Sequence, residues 1–340
     1  MGDIVATQHP GGLRFFLERA VPELQRGEIV YGNLEFPITD RGRFDPSKYW
    51  VEGRRMKPED TGALGEAGFH VVSLANNHVM DFGPEGLLQT IELLDSRGIA
   101  HCGAGRNLAE ARKPAIVERN GVRVAFLSYT SVFVASFTAS QDRPGMAVVR
   151  VNTAFMPHPR MVEQPGLPPI VMTPPNQEDL DAVRADVRQA RANADLVVVS
   201  WHWGVSQGYR KRVPYQMEVG RAAIDAGASL VVGHHPHVLQ GVEVYRKGVI
   251  FYSVGNFVFW SGRAPGAHHD RDSVMVDCEI DKAGLRAMAL RPLRINAEYQ
   301  PELLHGSDGT RGLKALVSDS EEFGTSFRDE GDRLVLDLVN

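Results

Sequence analysis

Gly233-His234-His235-Pro236-His237 follows directly on the apolar run Ser229-Leu230-Val231-Val232. A β-branched run ending in glycine reads as a buried strand. The three imidazoles therefore gather at the carboxyl end of that strand, where open α/β sheets place their sites. Neutral imidazole is the commonest protein ligand for transition metals, and Pro236 stiffens the turn between His235 and His237.

Three other strand ends carry polar residues in the same way. Asn33 and Glu35 follow the run Gly27–Tyr31, Asn76-Asn77-His78 with Asp81 follow His70–Leu74, and His202 follows Asp195–Ser200. If these strands are parallel, all four ends emerge at one edge of a sheet. Taken singly, Asn76 and Asn77 read as turn residues, and Glu35 reads as a solvent-facing residue before Pro37. His202, between Trp201 and Trp203, fits a core histidine as well as a ligand. Convergence gives them their weight together. Oxygen and imidazole ligands without thiolate suit Mn²⁺, Fe²⁺ or Zn²⁺, and a mixed Asp/Asn/His set suits two ions clamping an attacking and a leaving oxygen.

The elements that must position these residues alternate between strand and helix, the pattern of an α/β fold. A helix over 58–68 leads into the strand 70–74. Gly83-Pro84 opens the next helix, with Leu87, Leu88, Ile91 and Leu94 on one face and Gly98 at its end. Strands are expected at 115–118 and 122–129. Asn176 caps a helix with the stripe Leu180, Val183, Val187 and Ala190, and a further helix spans about 215–226. After the histidine cluster only strand periods remain (238–245, 249–253, 274–280 and 285–293), pointing to antiparallel strands that complete a second sheet. The proline-rich segment 131–175 is expected to be a loop at the mouth of the site. Residues 301–340 are expected to form a peripheral C-terminal extension.

The chain has 340 residues, a net charge of −5 and 43% hydrophobic residues, enough for a sizeable core. The absence of a basic excess argues against nucleic acid as a partner. Arg210-Lys211-Arg212 is the compact basic cluster, read as either a solvated loop or an anchor for an anionic substrate. Cys102 and Cys278 form neither a disulfide framework nor a thiolate zinc site and are expected in the core. No run has the length of a transmembrane helix and no secretory signal opens the chain. As it stands, the chain is expected to be cytoplasmic; an upstream extension would change that.

Gly32-Asn33-Leu34-Glu35-Phe36-Pro37, Ala75-Asn76-Asn77-His78 with Asp81 and Gly83, His202-Trp203-Gly204, His235-Pro236-His237-Val238 and Tyr252-Ser253-Val254-Gly255-Asn256-Phe257 resemble, in order and spacing, the motifs of the CapA family. These are bacterial capsule and poly-γ-glutamate synthesis proteins related to the calcineurin-like metallophosphoesterases. The resemblance spans about residues 2–260. It implies a metallophosphoesterase-like α/β/β/α sandwich of two mixed sheets flanked by helices, with residues 1–300 as the CapA-like domain. Three features depart from the family pattern. Only Met1 precedes the Gly2-Asp3 that should end a first strand. Val205 and Ser206 stand where an acidic residue is common, and the His268-His269-Asp270 loop matches no motif.

The resemblance further implies that Asp3, Glu35, Asn77, His202, His235 and His237 hold one or two divalent ions, with His234 a neighbour and not a ligand. His78 would handle a proton and Asp81 would orient its ring. The reading that follows is a metal-dependent hydrolase of a phosphoester or an amide such as a γ-glutamyl bond, acting on a small molecule, a peptide or polyglutamate. Two alternatives use the same parts: a metal-dependent peptide epimerase, and a non-catalytic component of a polymer synthesis or export assembly.

Overall fold

A computed structural model describes residues 1–7, 9–48, 54–206, 210–261 and 270–338. Two sheets dominate it. The first holds β1 (Asp3–Ala6), β2 (Tyr31–Leu34), β3 (Val71–Ser73) and β4 (Ala100–Cys102), with the strand Asn256–Trp260 beside β1. All its pairings are parallel. The second is six-stranded and mixed. Its parallel centre consists of Val122–Thr130, Leu196–His202, Leu230–His234 and Gly248–Phe251, with antiparallel strands at both edges.

Strand alternation sorts the side chains into three cores. In Leu196–His202, Val197, Val199 and Trp201 face the helices Gln177–Asn193 and Pro214–Asp225. Leu196 and Val198 face the first sheet across a core that also holds Val71, Cys102, Phe126 and Val232. The opposite face of the first sheet, with Ile4, Leu34 and Val72, is covered by helices including Asp60–Ala67 and Gly83–Ser96. This is the expected sandwich with helices outside, although only the second sheet is mixed; the first is parallel throughout. The same period of two carries Ser200 and His202 inward after Val198, and His234 inward after Val232. In the first sheet, β2 and β3 likewise turn Tyr31, Asn33 and Ser73 inward. The polar ends therefore come from two facing sheets, not from the single edge that the strand pattern suggested.

The local signals were sound where they were strong. Asn176 accepts from the Asp179 N–H, and Leu180, Val183, Val187 and Ala190 are buried. Other expectations need correction. The run Gly27–Tyr31 is irregular up to residue 30, and the strand begins only at Tyr31. Asp3 opens β1 instead of following a strand. Cys102 is buried but Cys278 is exposed, on the long antiparallel pair Asp272–Asp281 and Gly284–Ile295, which forms a separate sheet.

The segment expected to be peripheral is tied in more closely than that. Pro301–Leu303 and Leu334–Leu336 pair with Gly284–Ile295, and Leu313, Leu316, Leu334 and Leu336 join the inter-sheet core. Of the proline-rich segment, Ser131 begins at the site edge by donating to the His202 carbonyl. Farther on it forms an exposed hairpin, Ala154–Met156 with Ile170–Met172. No helix among the described residues is long and apolar enough to cross a membrane.

Candidate metal centre

Glu35, His235 and His237 each present a ligand atom within 4.8 Å of the others, and all three are buried. The turn that delivers the two histidines is strained. His235 and His237 have φ of 93° and 56°, left-handed values that cost non-glycine residues about 1–3 kcal/mol each. Gly233 is required just before them, because a Cβ there would run into the Tyr252 carbonyl and the Trp203 indole.

Glu35 is the hub. Its Oε1 lies 3.7 Å from His237 Nε2 and 3.8 Å from His202 Nε2. His202 Nε2 in turn lies 2.8 Å from Asn77 Oδ1. On the other flank, His237 Nδ1 is held by Asn256 Oδ1 at 2.8 Å and faces Asp3 Oδ2 at 3.3 Å. The six residues expected around a cation thus form one continuous network. Three of them make the compact cluster; Asp3 stands behind His237 at Nδ1, while Asn77 meets His202 at Nε2, the nitrogen that also faces Glu35. Asn76 does separate work: its side-chain oxygen accepts from the His78 and Val79 N–H groups, holding the loop that aims Asn77.

Among the described residues, Glu35 Oε2, His235 Nδ1, His234 Nδ1 and Asp81 Oδ1 are buried here without a hydrogen bond; His234 and Asp81 do face charged neighbours, Asp3 and Lys48. An orphaned buried polar atom costs about 1–3 kcal/mol, so a bare carboxylate oxygen and a bare imidazole nitrogen on two residues of the cluster fit a coordinated cation. Electrostatics agree. Burial pushes the Glu35 carboxyl up to about 8 and drives the His235 imidazole down to about 3, so His235 is neutral and able to ligate. Burial also opposes charge on His237, but Glu35, Asp3 and Asn256 outweigh it and raise that imidazole to about 9. Asp3 is raised by burial yet held well below the carboxylate range by His234 and His237.

Beside this centre sits a buried histidine–aspartate pair. His78 Nδ1 lies 2.7 Å from Asp81 Oδ2, and burial lowers the His78 pKa against the pull of Asp81. The Phe36 ring meets the imidazole edge-on at 4.8 Å. Lys48, which no sequence signal marked, places Nζ 3.1 Å from Asp81 Oδ1 and donates to the Asn77 carbonyl. Its loop carries no spacing pattern, so only the folded chain reveals it. The basic cluster, in contrast, is engaged elsewhere: Arg210 pairs with Asp270 at 2.6 Å, and Arg212 lies over the Tyr252 and Phe323 rings and pairs with Glu322. His268 and His269 lie outside the described residues.

The model of the family described as bacterial capsule synthesis protein PGA_cap matches residues 2–261. The chain belongs to this family. It is similar to the capsule biosynthesis protein CapA of Bacillus anthracis, with 31% identity over 99% of this chain and 76% of that protein. It is also similar to the PGA biosynthesis protein CapA of Bacillus subtilis (strain 168), with 32% identity over 81% of this chain and 63% of that protein. The matched span contains every expected site residue from Asp3 to His237.

Proposed function

We propose that this CapA-family chain is a metal-dependent hydrolase that cleaves a phosphoester or a γ-glutamyl-type amide bond in capsule or poly-γ-glutamate metabolism. The observation that carries the reading is the buried Glu35–His235–His237 cluster, with its two unpartnered ligand atoms, beside the His78–Asp81 pair. Glu35, His235 and His237 would hold a divalent cation (Mn, Zn or Fe), with His202, Asn77 and Asp3 available to a second ion or as their supports. When bound, such a cation supplies Lewis-acid polarisation of a phosphoryl or carbonyl oxygen and makes water a better nucleophile at neutral pH.

The chain's own residues supply the rest. Asp81 accepts the Nδ1 proton of His78 and fixes the ring's direction, so Nε2 takes a proton from the attacking water and returns it to the leaving oxygen or nitrogen. Lys48 balances the Asp81 charge and adds positive potential beside the centre, which favours an anionic substrate. Asn256 holds His237 by Nδ1 and so directs Nε2 toward Glu35.

The test is hydrolysis of p-nitrophenyl phosphate and of γ-glutamyl amides by the metal-stripped chain, with and without Mn²⁺, beside His235→Ala and His78→Ala. Mn²⁺-dependent turnover lost in both variants supports the reading. Turnover that survives chelation and His235→Ala removes it. Solvent deuterium in recovered, uncleaved peptide would instead indicate epimerisation.

A further inference from the structure

His234 sits among the ligand candidates but lies outside the Glu35–His235–His237 cluster, with one ring nitrogen on Asp3 and the other on Tyr31. Its Nδ1 lies 2.8 Å from Asp3 Oδ1, and its Nε2 lies 3.0 Å from the Tyr31 hydroxyl. The Tyr31 oxygen is also 3.1 Å from Ser73 Oγ and bonds Ser200 Oγ at 2.6 Å. Ser73 donates to Asn33 Oδ1 at 2.8 Å, and Asn33 Nδ2 returns to Asp3 Oδ1 at 2.9 Å. These contacts close a ring: Asp3, His234, Tyr31, Ser73, Asn33 and back to Asp3. Every member but Tyr31 is at most 1% exposed. The ring also joins the two sheets, because Tyr31, Ser73 and Asn33 come from the first and His234 from the second.

A carboxylate held this way has little rotational freedom. Asp3 Oδ1 accepts from Asn33 Nδ2 and packs against His234 Nδ1 at 2.8 Å, and Oδ2 accepts from the His235 N–H at 3.2 Å while facing His237. The orientation of Asp3 therefore passes to the two histidines of the cluster. Polar groups behind metal ligands typically alter metal affinity about 10–100-fold when removed.

We infer that Tyr31 and His234 are positioning residues for the metal centre: Tyr31 locks the His234 ring, His234 locks Asp3, and Asp3 holds the His235–His237 turn in its ligating geometry. This rests on the metal reading proposed above. Neither residue is expected to touch the cation or the substrate.

The test is Mn²⁺ titration by calorimetry of the metal-stripped full chain, its Tyr31→Phe and His234→Gln variants, and the double variant, with thermal midpoints as a folding control. Tyr31→Phe is expected to bind Mn²⁺ about 10-fold more weakly, with its thermal midpoint within a few degrees of the wild type. The double variant is expected to bind no more weakly than His234→Gln, because both act through one path. His234→Asn, whose amide reaches the Nδ1 position toward Asp3, is expected to bind more tightly than His234→Gln. That comparison carries the test if Tyr31→Phe does not fold. Wild-type affinity in Tyr31→Phe, losses that multiply in the double variant, or equal affinity in His234→Asn and His234→Gln would overturn the inference. A wild-type chain that takes up no Mn²⁺ defeats the metal reading itself, and that titration is read separately.

Discussion

Asn77 Oδ1 and His202 Nε2 lie 2.8 Å apart across 125 residues of sequence. One sits in the loop after β3 of the first sheet, and the other ends the strand Leu196–His202 of the second. Their meeting shows that the centre is assembled where two facing sheets converge, mostly at strand carboxyl ends, with Asp3 joining from the start of β1.

The cluster should fail as a unit. His237→Ala and His235→Ala are each expected to abolish tight Mn²⁺ binding, a loss greater than the roughly 10–100-fold that follows removal of a supporting group. Calorimetry and metal content after dialysis check this. Full retention of metal by either variant would place the ion elsewhere.

Binding should be linked to protons. In the metal-free chain burial raises Glu35 and, against burial, the neighbouring Glu35 and Asp3 carboxylates raise His237, so this interacting pair retains proton at pH 7. Ligation needs both deprotonated. Mn²⁺ affinity is therefore expected to rise with pH through the range 6 to 9 and to flatten above it. Calorimetry in two buffers of different ionisation enthalpy should show proton release at pH 7; no release would mean that these two groups are not displaced.

The His78–Asp81 pair should separate chemistry from metal binding. His78→Ala is expected to lower kcat by about 10²–10⁴-fold, the range of positioned acid catalysis, with Mn²⁺ affinity nearly unchanged. Asp81→Asn should cost less, since it leaves the imidazole in place but loosens its orientation. Equal loss of metal in these variants would make the pair structural.

The segment after residue 301 should behave as core. Leu316 is fully buried between the second sheet and the antiparallel sheet, and Leu316→Ala is expected to cost about 2–5 kcal/mol of stability. Chemical denaturation measures it. A change under about 0.5 kcal/mol, the scale of surface substitutions, would return this segment to the periphery.

Much of this protein was legible before folding. The histidines around Pro236 declare themselves locally, because strand period and turn chemistry act over a few residues, whereas Asn77 and His202 drew their weight from strand ends that repeat one pattern. The helical stripe from Leu180 to Ala190 is local in the same sense.

Only the tertiary structure decided what those residues do to one another. That Glu35 becomes the hub, that Asp3 stands behind His237, that Lys48 reaches Asp81 and that Tyr31 closes a ring through His234 all depend on how two sheets face each other. That packing is set by long-range burial of side chains such as Phe126, Val198 and Val232, and no short stretch of sequence encodes it. The buried leucines of the C-terminal segment escaped notice for the same reason: their partners lie in strands far away in the chain.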